Sequence, residues 1–244
     1  MDQLAPRVAV VSIGDEVLRG DTVDTNMAFL FAELYERGAR PQLGLTLPDD
    51  LPVIVKQLRE LASSFDWVLT GGGIGPTPDD KTRQAVAEAF KLPLEMNEFA
   101  LAEYARRRGT LLNPGQREMC RLPAGCELIW GEGTHAPAFR VANVFVLPGV
   151  PQVLRAMWAA IAERFHGPAV HVARFRARSG ESRWADLMAQ FVARYPELEF
   201  GSYPRIEGGW YSELTVRGHN AELVERAARE FQAAIDSLSD QSQQ

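Results

Sequence analysis

Three apolar runs, each followed by an amphipathic helical stripe, constrain this chain more than any other feature. Val8–Ile13 is rich in valine and ends at Gly14, as a buried strand of a parallel sheet does. Met27, Leu30, Phe31, Leu34 and Tyr35 then recur at helical spacing, with Asp24 or Thr25 as the cap and Gly38 as the stop. Gln42–Leu47 reads as a second strand, and Asp50 precedes a stripe of Leu51, Ile54, Val55 and Leu58. Trp67–Thr70 reads as a third strand, and 78–90 as a helix with Ala85, Val86, Ala89 and Phe90 inward. Strand and helix in alternation predict right-handed βαβ units and a layered α/β fold.

One helix and then a shorter one are expected between Asn97 and Pro123. Leu128–Trp130 reads as a strand, and Ala138–Leu147 as a hairpin turning near Asn143. Pro151 suits the first position of a helix that carries Val153, Leu154, Met157, Ile161 and Phe165 inward. Gly167-Pro168 marks a boundary, so the chain divides into 1–167 and 168–244. The second part reads strand (170–178), helix (182–194), strand (199–203), strand (210–217), helix (221–238), a small α+β module. Its polar end, 237–244, is expected to fray.

With 244 residues, 46% hydrophobic and 24% charged, the chain has the balance of an ordinary globular protein and is long enough to bury a sizeable core. A formal net charge of −6 argues against a nucleic-acid protein. Cys120 and Cys126 are too few for a disulfide framework and are expected to be inert. No run approaches the roughly eighteen apolar residues of a membrane span, and the N-terminus has no signal-peptide pattern. A cytoplasmic setting is expected.

The chemistry concentrates in Thr70-Gly71-Gly72-Gly73-Ile74-Gly75-Pro76-Thr77-Pro78-Asp79-Asp80-Lys81-Thr82. Glycines between a strand and a helix permit positive φ and a close approach of backbone N–H groups to a ligand. The helix start adds further donors, so the segment suits a phosphate or pyrophosphate. It is neither a dinucleotide fingerprint nor a Walker loop. Capping alone is the structural alternative: Thr77 and Asp80 are spaced almost as a capping box, with Pro78 in the first turn. A cap, however, needs none of the four glycines. Glu16 in Ser12–Gly20 and Asp49 beyond the second strand also lie at strand ends. If the three strands are adjacent, Glu16, Asp49 and Asp80 converge on the glycine turn. The stretches 131–139 and 147–151 read as turns, with a chemical role for His135 disfavoured. Arg117 offers a possible anion contact. Arg106–Arg108 reads as a solvated helix end, and Arg174, Arg176 and Arg178 as one solvated or interface-facing strand edge.

S-I-G-D-E-V-L-R-G, D-T-N, T-G-G-G-I-G-P-T-P-D-D-K-T, G-T-H-A-P-A-F and L-P-G-V-P occur in this order. Together they resemble the N-terminal region of the CinA (competence/damage-inducible protein A) family, itself similar to the molybdopterin-binding domain of MogA and MoaB. The second part, with R-S-G-E-S at 178–182, resembles that family's KH-like domain. The resemblance implies a three-layer α/β/α fold with a mixed sheet and a site at the glycine turn. In the molybdopterin relatives two aspartates handle an adenylated, pyrophosphate-containing intermediate, and they match Asp49 and Asp80. In CinA-type proteins the domain is described as a metal-dependent ADP-ribose pyrophosphatase. Relatives assemble as dimers or trimers, so a homo-oligomer is implied. CinA proteins usually continue into a nicotinamide mononucleotide deamidase domain; the sequence ends before one, so deamidation is not expected. The inserted His135, and Ala138 in place of a glycine, depart from the family pattern.

The leading expectation is therefore hydrolysis of ADP-ribose or a related nucleoside diphosphate compound. Asp49 and Asp80 would bind a divalent cation such as Mg²⁺ or activate water, with Asp79 and Glu16 as second choices. Backbone groups of Gly71, Gly72, Gly73 and Gly75 would hold the phosphates. Hydroxyls of Thr70, Thr77 and Thr82 would add donors, and Asn26 would orient the ligand. Gly14, Thr134, Pro148 and Gly149, from the matching motifs, complete the nucleotide-binding set. The alternatives are molybdopterin binding or adenylation, and a non-catalytic nucleotide-binding module. RNA binding is set aside, because the second part is slightly acidic and lacks a GxxG loop between helices.

Overall fold

The computed structural model describes residues 5–178, 180–206 and 209–240. It divides into two compact units, 1–167 and 168–244. The first unit runs β1 (Arg7–Ile13), α1 (Asp15–Leu18), α2 (Thr25–Glu36), β2 (Arg40–Leu47), α3 (Leu51–Ser64), β3 (Trp67–Gly71) and α4 (Thr82–Ala89). It continues with β4 (Leu94–Met96), α5 (Glu98–Arg108), α6 (Pro114–Glu118), β5 (Arg121–Pro123), β6 (Glu127–Ile129), β7 (Ala138–Val141), β8 (Val144–Leu147) and α7 (Pro151–Ile161).

Six strands form one mixed sheet in the order β2-β1-β3-β8-β7-β6. β2, β1, β3 and β8 are parallel, while β7 runs against both its neighbours. The apolar runs alternate across this sheet with a period of two. Ala9, Val11, Val68, Val144 and Val146 face a core shared with α3, α4 and α5. Val8, Val10, Leu69, Phe145 and Leu147 face a core shared with α2 and α7. Strands buried on both faces read as continuous hydrophobic runs, and helices cover both sides in a three-layer α/β/α arrangement. Full burial of Trp158, Phe145 and Phe165 contributes about 2–3 kcal/mol each. Trp158 satisfies its ring N–H on Glu33 at 2.8 Å. Local signals set the helix starts: Asp24, Asp50 and Asn97 each accept a backbone N–H three residues on.

Several expectations are corrected. The helix expected at 78–90 starts at Thr82, and residues 76–81 form a turn instead. No side chain caps that start, because the Asp80 carboxylate turns back onto Gly75 and Thr77. The two-stranded sheet of β4 and β5 was not foreseen; its strands have three residues each, too short for a periodic signal. In α7 the inward set includes Trp158, and Val153 is only partly buried.

The second unit contains β9 (His171–Ala177), α8 (Ala185–Arg194), β10 (Glu199–Arg205), β11 (Tyr211–Gly218) and α9 (Ala221–Asp240). Its sheet is antiparallel in the order β10-β11-β9. The expected helix start at 182 is a short 3₁₀ turn, Glu181–Arg183, before α8. Rather than fraying at 237, α9 extends to Asp240. Residues 241–244 of the expected frayed end, and Ser179 of the R-S-G-E-S motif, lie outside the described residues.

Candidate functional site

Register decides where the loops meet. Ile13 pairs with Leu47, Ser12 with Gly71, and Gly71 with Leu147. The segments that follow β1, β2, β3 and β8 therefore leave the sheet at one edge, the carboxyl edge where α/β sheets bind ligands. A cleft of about 710 Å³ opens there, within the roughly 300–1,000 Å³ typical of small-molecule sites.

Glu16, Asp49, Asp79 and Asp80 all line it, as do Gly14, Asn26, Gly71, Gly72, Gly73, Gly75, Thr134, Pro148 and Gly149. The Asn26 amide donates to the Gly149 carbonyl at 2.7 Å and ties α2 to the segment after β8. The Ser12 hydroxyl donates to Asp24, whose other oxygen caps α2.

The glycine turn needs its glycines. At Gly72, φ is +106°, and an added Cβ would lie 2.2 Å from the Ile13 carbonyl oxygen. At Gly73, φ is +67°, and a Cβ would meet the Thr82 hydroxyl at 2.2 Å. Not all the turn's donors are available. Gly72 N–H donates to Leu147 O at 3.1 Å, and Gly75 N–H to Asp80 at 2.7 Å. Gly73 and Ile74 line the cleft, and their N–H groups have no protein acceptor among the described residues.

Asp80 also accepts the Thr77 N–H at 2.8 Å and the Thr77 hydroxyl at 2.5 Å, three donors in all with Gly75. It is the staple of the turn. From the other side, the buried Arg83 guanidinium donates to Gly75 O at 2.8 Å and to the Glu118 carbonyl. Burial holds the Arg83 pKa below its usual value.

Three expected contacts fall away. Thr70 is fully buried in β3 and does not line the cleft. Thr82 is fully buried, and its hydroxyl donates to Gly72 O at 2.9 Å. Thr77 is outside the lining and committed to Asp80. A hydroxyl that gives its one hydrogen to the turn has none left to donate to a phosphate. Arg117 is likewise absent from the lining.

Asp49 faces Asp15 across a reciprocal pair: Asp15 N–H donates to its carboxylate at 2.9 Å, and its own N–H donates to the Asp15 carboxylate at 3.3 Å. Partial burial raises its pKa above the usual value, and the negative charges of Asp15, Glu16 and Asp79 push the same way. The Thr77 hydroxyl also lies close enough to Asp79 to hold that carboxyl below its usual value.

Among the described residues, no group of three or more His, Cys, Asp or Glu side chains is placed to hold a metal ion.

The opposite wall comes from α5 and its neighbours. Tyr104 and Arg108 line the cleft, together with Met119, His135, Val153 and Met157. Arg107 stacks over Trp130 at 4.7 Å and donates to Gly131 O and Thr134 O at 3.3 Å each, so only Arg106 and Arg108 end the helix as exposed charges. Thr134 donates its hydroxyl to Gly131 O at 2.8 Å, which leaves it a positioning part. Tyr104 and Arg83 escaped the sequence reading, and Arg108 was read only as part of a solvated helix end. Tyr104 and Arg108, four residues apart on one helical face, were the available signal. Cys120 and Cys126 are inert, as expected, since burial raises both thiol pKa values to about 11. Among the described residues, no helix is long and apolar enough to cross a membrane.

Residues 9–167 match the family described as "Probable molybdopterin binding domain". The chain belongs to this family. Residues 169–242 match a second family, "FAD synthase, middle domain". A CinA-like protein of Citrifermentans bemidjiense is 42% identical over 158 residues, covering 62% of this chain and 38% of its own length. A probable FAD synthase of Caenorhabditis elegans is 30% identical over 251 residues, covering 89% of this chain and 47% of its own. An Archaeoglobus fulgidus protein, 30% identical over 230 residues, is matched over 97% of its own length and 93% of this chain. The chain thus spans less than half the length of these two CinA-like and FAD synthase relatives. The crystal structure of CinA from Thermoplasma acidophilum, its function described as unknown, superposes with a TM-score of 0.61 at 32% identity. It covers 66% of this chain and 98% of its own. The molybdopterin-binding domain is therefore the first unit, and the glycine-turn cleft lies within it.

Proposed function

We propose that the cleft binds a phosphorylated pterin of the molybdopterin class. The observation that carries this reading is the coincidence of two features at one sheet edge. One is a pair of backbone N–H groups, at Gly73 and Ile74, that have no protein acceptor among the described residues and are held by a turn in which Gly72 and Gly73 take positive φ. The other is a cavity of ring-bearing size beside them. The phosphate sits on those two amides, where donors aimed by a fixed turn need no reorganisation. The pterin ring lies toward Val153, Met157, Met119 and Tyr104, and Asn26 fixes the segment that closes over it. Membership of the molybdopterin-binding family supports the ligand class. Likeness to a probable FAD synthase over both units supports a ligand that also bears an adenine nucleotide. The homo-oligomer implied by the resemblance belongs to the same proposal and is read by light scattering.

The test is direct. Purified protein is denatured in acid, and the released small molecules are examined for pterin fluorescence. Near-stoichiometric pterin in the wild type, lost in Gly72→Ala, is expected. A wild type with no pterin, and no affinity for an added pterin phosphate, refutes the reading.

A second reading is hydrolysis of a phosphoanhydride such as that of ADP-ribose. Asp49 favours it: a carboxylate with a raised pKa beside the phosphate-binding turn is placed to take a proton from water. Release of AMP from ADP-ribose with Mg²⁺ present, abolished by Asp49→Asn, would install this reading in place of the first.

A further inference from the structure

Strand register in the second unit sorts its charges in a way that net charge conceals. Residues 168–244 hold nine arginines against eleven acidic residues. Thr215 pairs with Gly201 and Arg174, Glu213 with Tyr203 and Arg176, Tyr211 with Arg205, and Arg217 with Glu199. Cross-strand partners share a face. Among the described strand residues, one face of the sheet therefore carries Arg174, Arg176, Arg205 and Arg217 against Glu199 and Glu213. The alternate residues, among them Leu214, Val216, Phe175 and Phe200, pack with α8 and α9 in the core on the other face.

The arginine face also carries aromatic rings. Arg176 stands over the Tyr211 ring at 4.7 Å, and Tyr203 is 39% exposed. Arg174, Arg176 and Arg205 are exposed and have no carboxylate partner among the described residues. At the centre, Thr215 is only 1% exposed, yet its hydroxyl has no hydrogen-bond partner. A net positive face in an acidic unit, with two tyrosines, complements one ligand chemistry: phosphates in series with exposed flat bases. Sheet faces bearing aromatics bind single-stranded nucleic acid in this way, stacking two or three bases while cations follow the backbone.

We propose that this sheet face binds a short single-stranded RNA segment. The site is separate from the cleft of the first unit and does not depend on the pterin reading. It runs against the sequence-based expectation of no RNA binding, which rested on net charge and on the lack of a helix-flanked loop. Neither reports how charges distribute across a sheet.

The test is fluorescence anisotropy of the full chain with a labelled eight-nucleotide RNA of mixed sequence. Heparin serves as a base-free polyanion control. Binding is expected at low salt, with log affinity falling against log salt at a slope of about −2 for three phosphate contacts. Arg174→Gln with Arg176→Gln should weaken binding at least 10-fold and shallow that slope. Tyr203→Leu should weaken RNA binding roughly 5- to 100-fold, the loss of one stacked base, without changing heparin affinity. Unchanged melting temperatures confirm that each variant folds. Absence of RNA binding by the wild type overturns the proposal. So does equal weakening of heparin by Tyr203→Leu, or RNA binding that ignores the arginine substitutions. Loss of self-association in the arginine variants, with no effect on RNA, would assign the face to a second copy of the chain and likewise refute it.

Discussion

Replacing Gly72 by alanine isolates the contact on which the cleft depends. The added Cβ would stand 2.2 Å from the Ile13 carbonyl oxygen, at a φ of +106° that side-chain-bearing residues rarely adopt. Backbone strain of this kind costs about 1–2 kcal/mol. A backbone oxygen cannot swing aside, so the ends of β1 and β3 must separate by about 1 Å, adding about 1–3 kcal/mol of overpacking. The total is about 2–5 kcal/mol. A domain of this size loses about 2–4 °C per kcal/mol, so melting should fall by roughly 4–20 °C. Two further variants divide the cost. Gly20→Ala sits at φ +78° with nothing within 4 Å, so it should show the backbone strain alone. Gly149→Ala meets the Gly72 backbone, Cα at 3.3 Å and N at 3.9 Å, and should be the mildest. Circular dichroism melts of the three, with pterin release measured in parallel, should rank Gly72 lowest, then Gly20, then Gly149. If Gly72→Ala melts no lower than Gly20→Ala, the close approach of turn and strand is wrong.

Asp80→Asn should replace an accepting oxygen by an NH₂ and strand at least one of three donors, lowering stability by about 1–2 kcal/mol. Amide exchange at Gly75 and Thr77 should quicken, and unchanged exchange would remove Asp80 from its bracing role. Thr82→Val should leave the buried Gly72 carbonyl without its 2.9 Å donor at a cost of about 1–3 kcal/mol; a neutral result would show that water or another donor replaces it. Glu127, beside Arg164 and Arg140, has its pKa lowered from 4.5 to about 2. A depressed carboxylate stabilises fully above its unfolded value, so this contribution should be lost as pH falls from about 4.5 toward 2. After solvent screening it amounts to roughly 1 kcal/mol. Glu127→Gln should flatten that part of the acid-denaturation curve, and an unchanged curve would deny the ion pairs their weight.

Local physics made much of the architecture legible. Continuous apolar runs marked β1, β3 and β8, since a strand buried on both faces leaves little room for polar residues, while the edge strand β2 alternates. Asp24, Asp50 and Asn97 marked helix starts, because each bonds an amide only three residues away. The glycine cluster marked the turn, because positive φ is a property of the residue itself. Allocation was hidden. Whether an amide at Gly72, Gly73 or Gly75 is available depends on Leu147 and Asp80. Asn26 acquires its place from a carbonyl 123 positions away. The cleft's far wall comes from α5, whose Tyr104 and Arg108 reach it only after the helix packs beside the sheet edge. Likewise, four arginines scattered from 174 to 217 form one face only when three strands pair in register. Sequence therefore determined which elements form and where the chain must turn, because those depend on near neighbours. Tertiary structure alone decided which donors and charges remain unspent, because each hydrogen bond has one partner and distant segments compete for it.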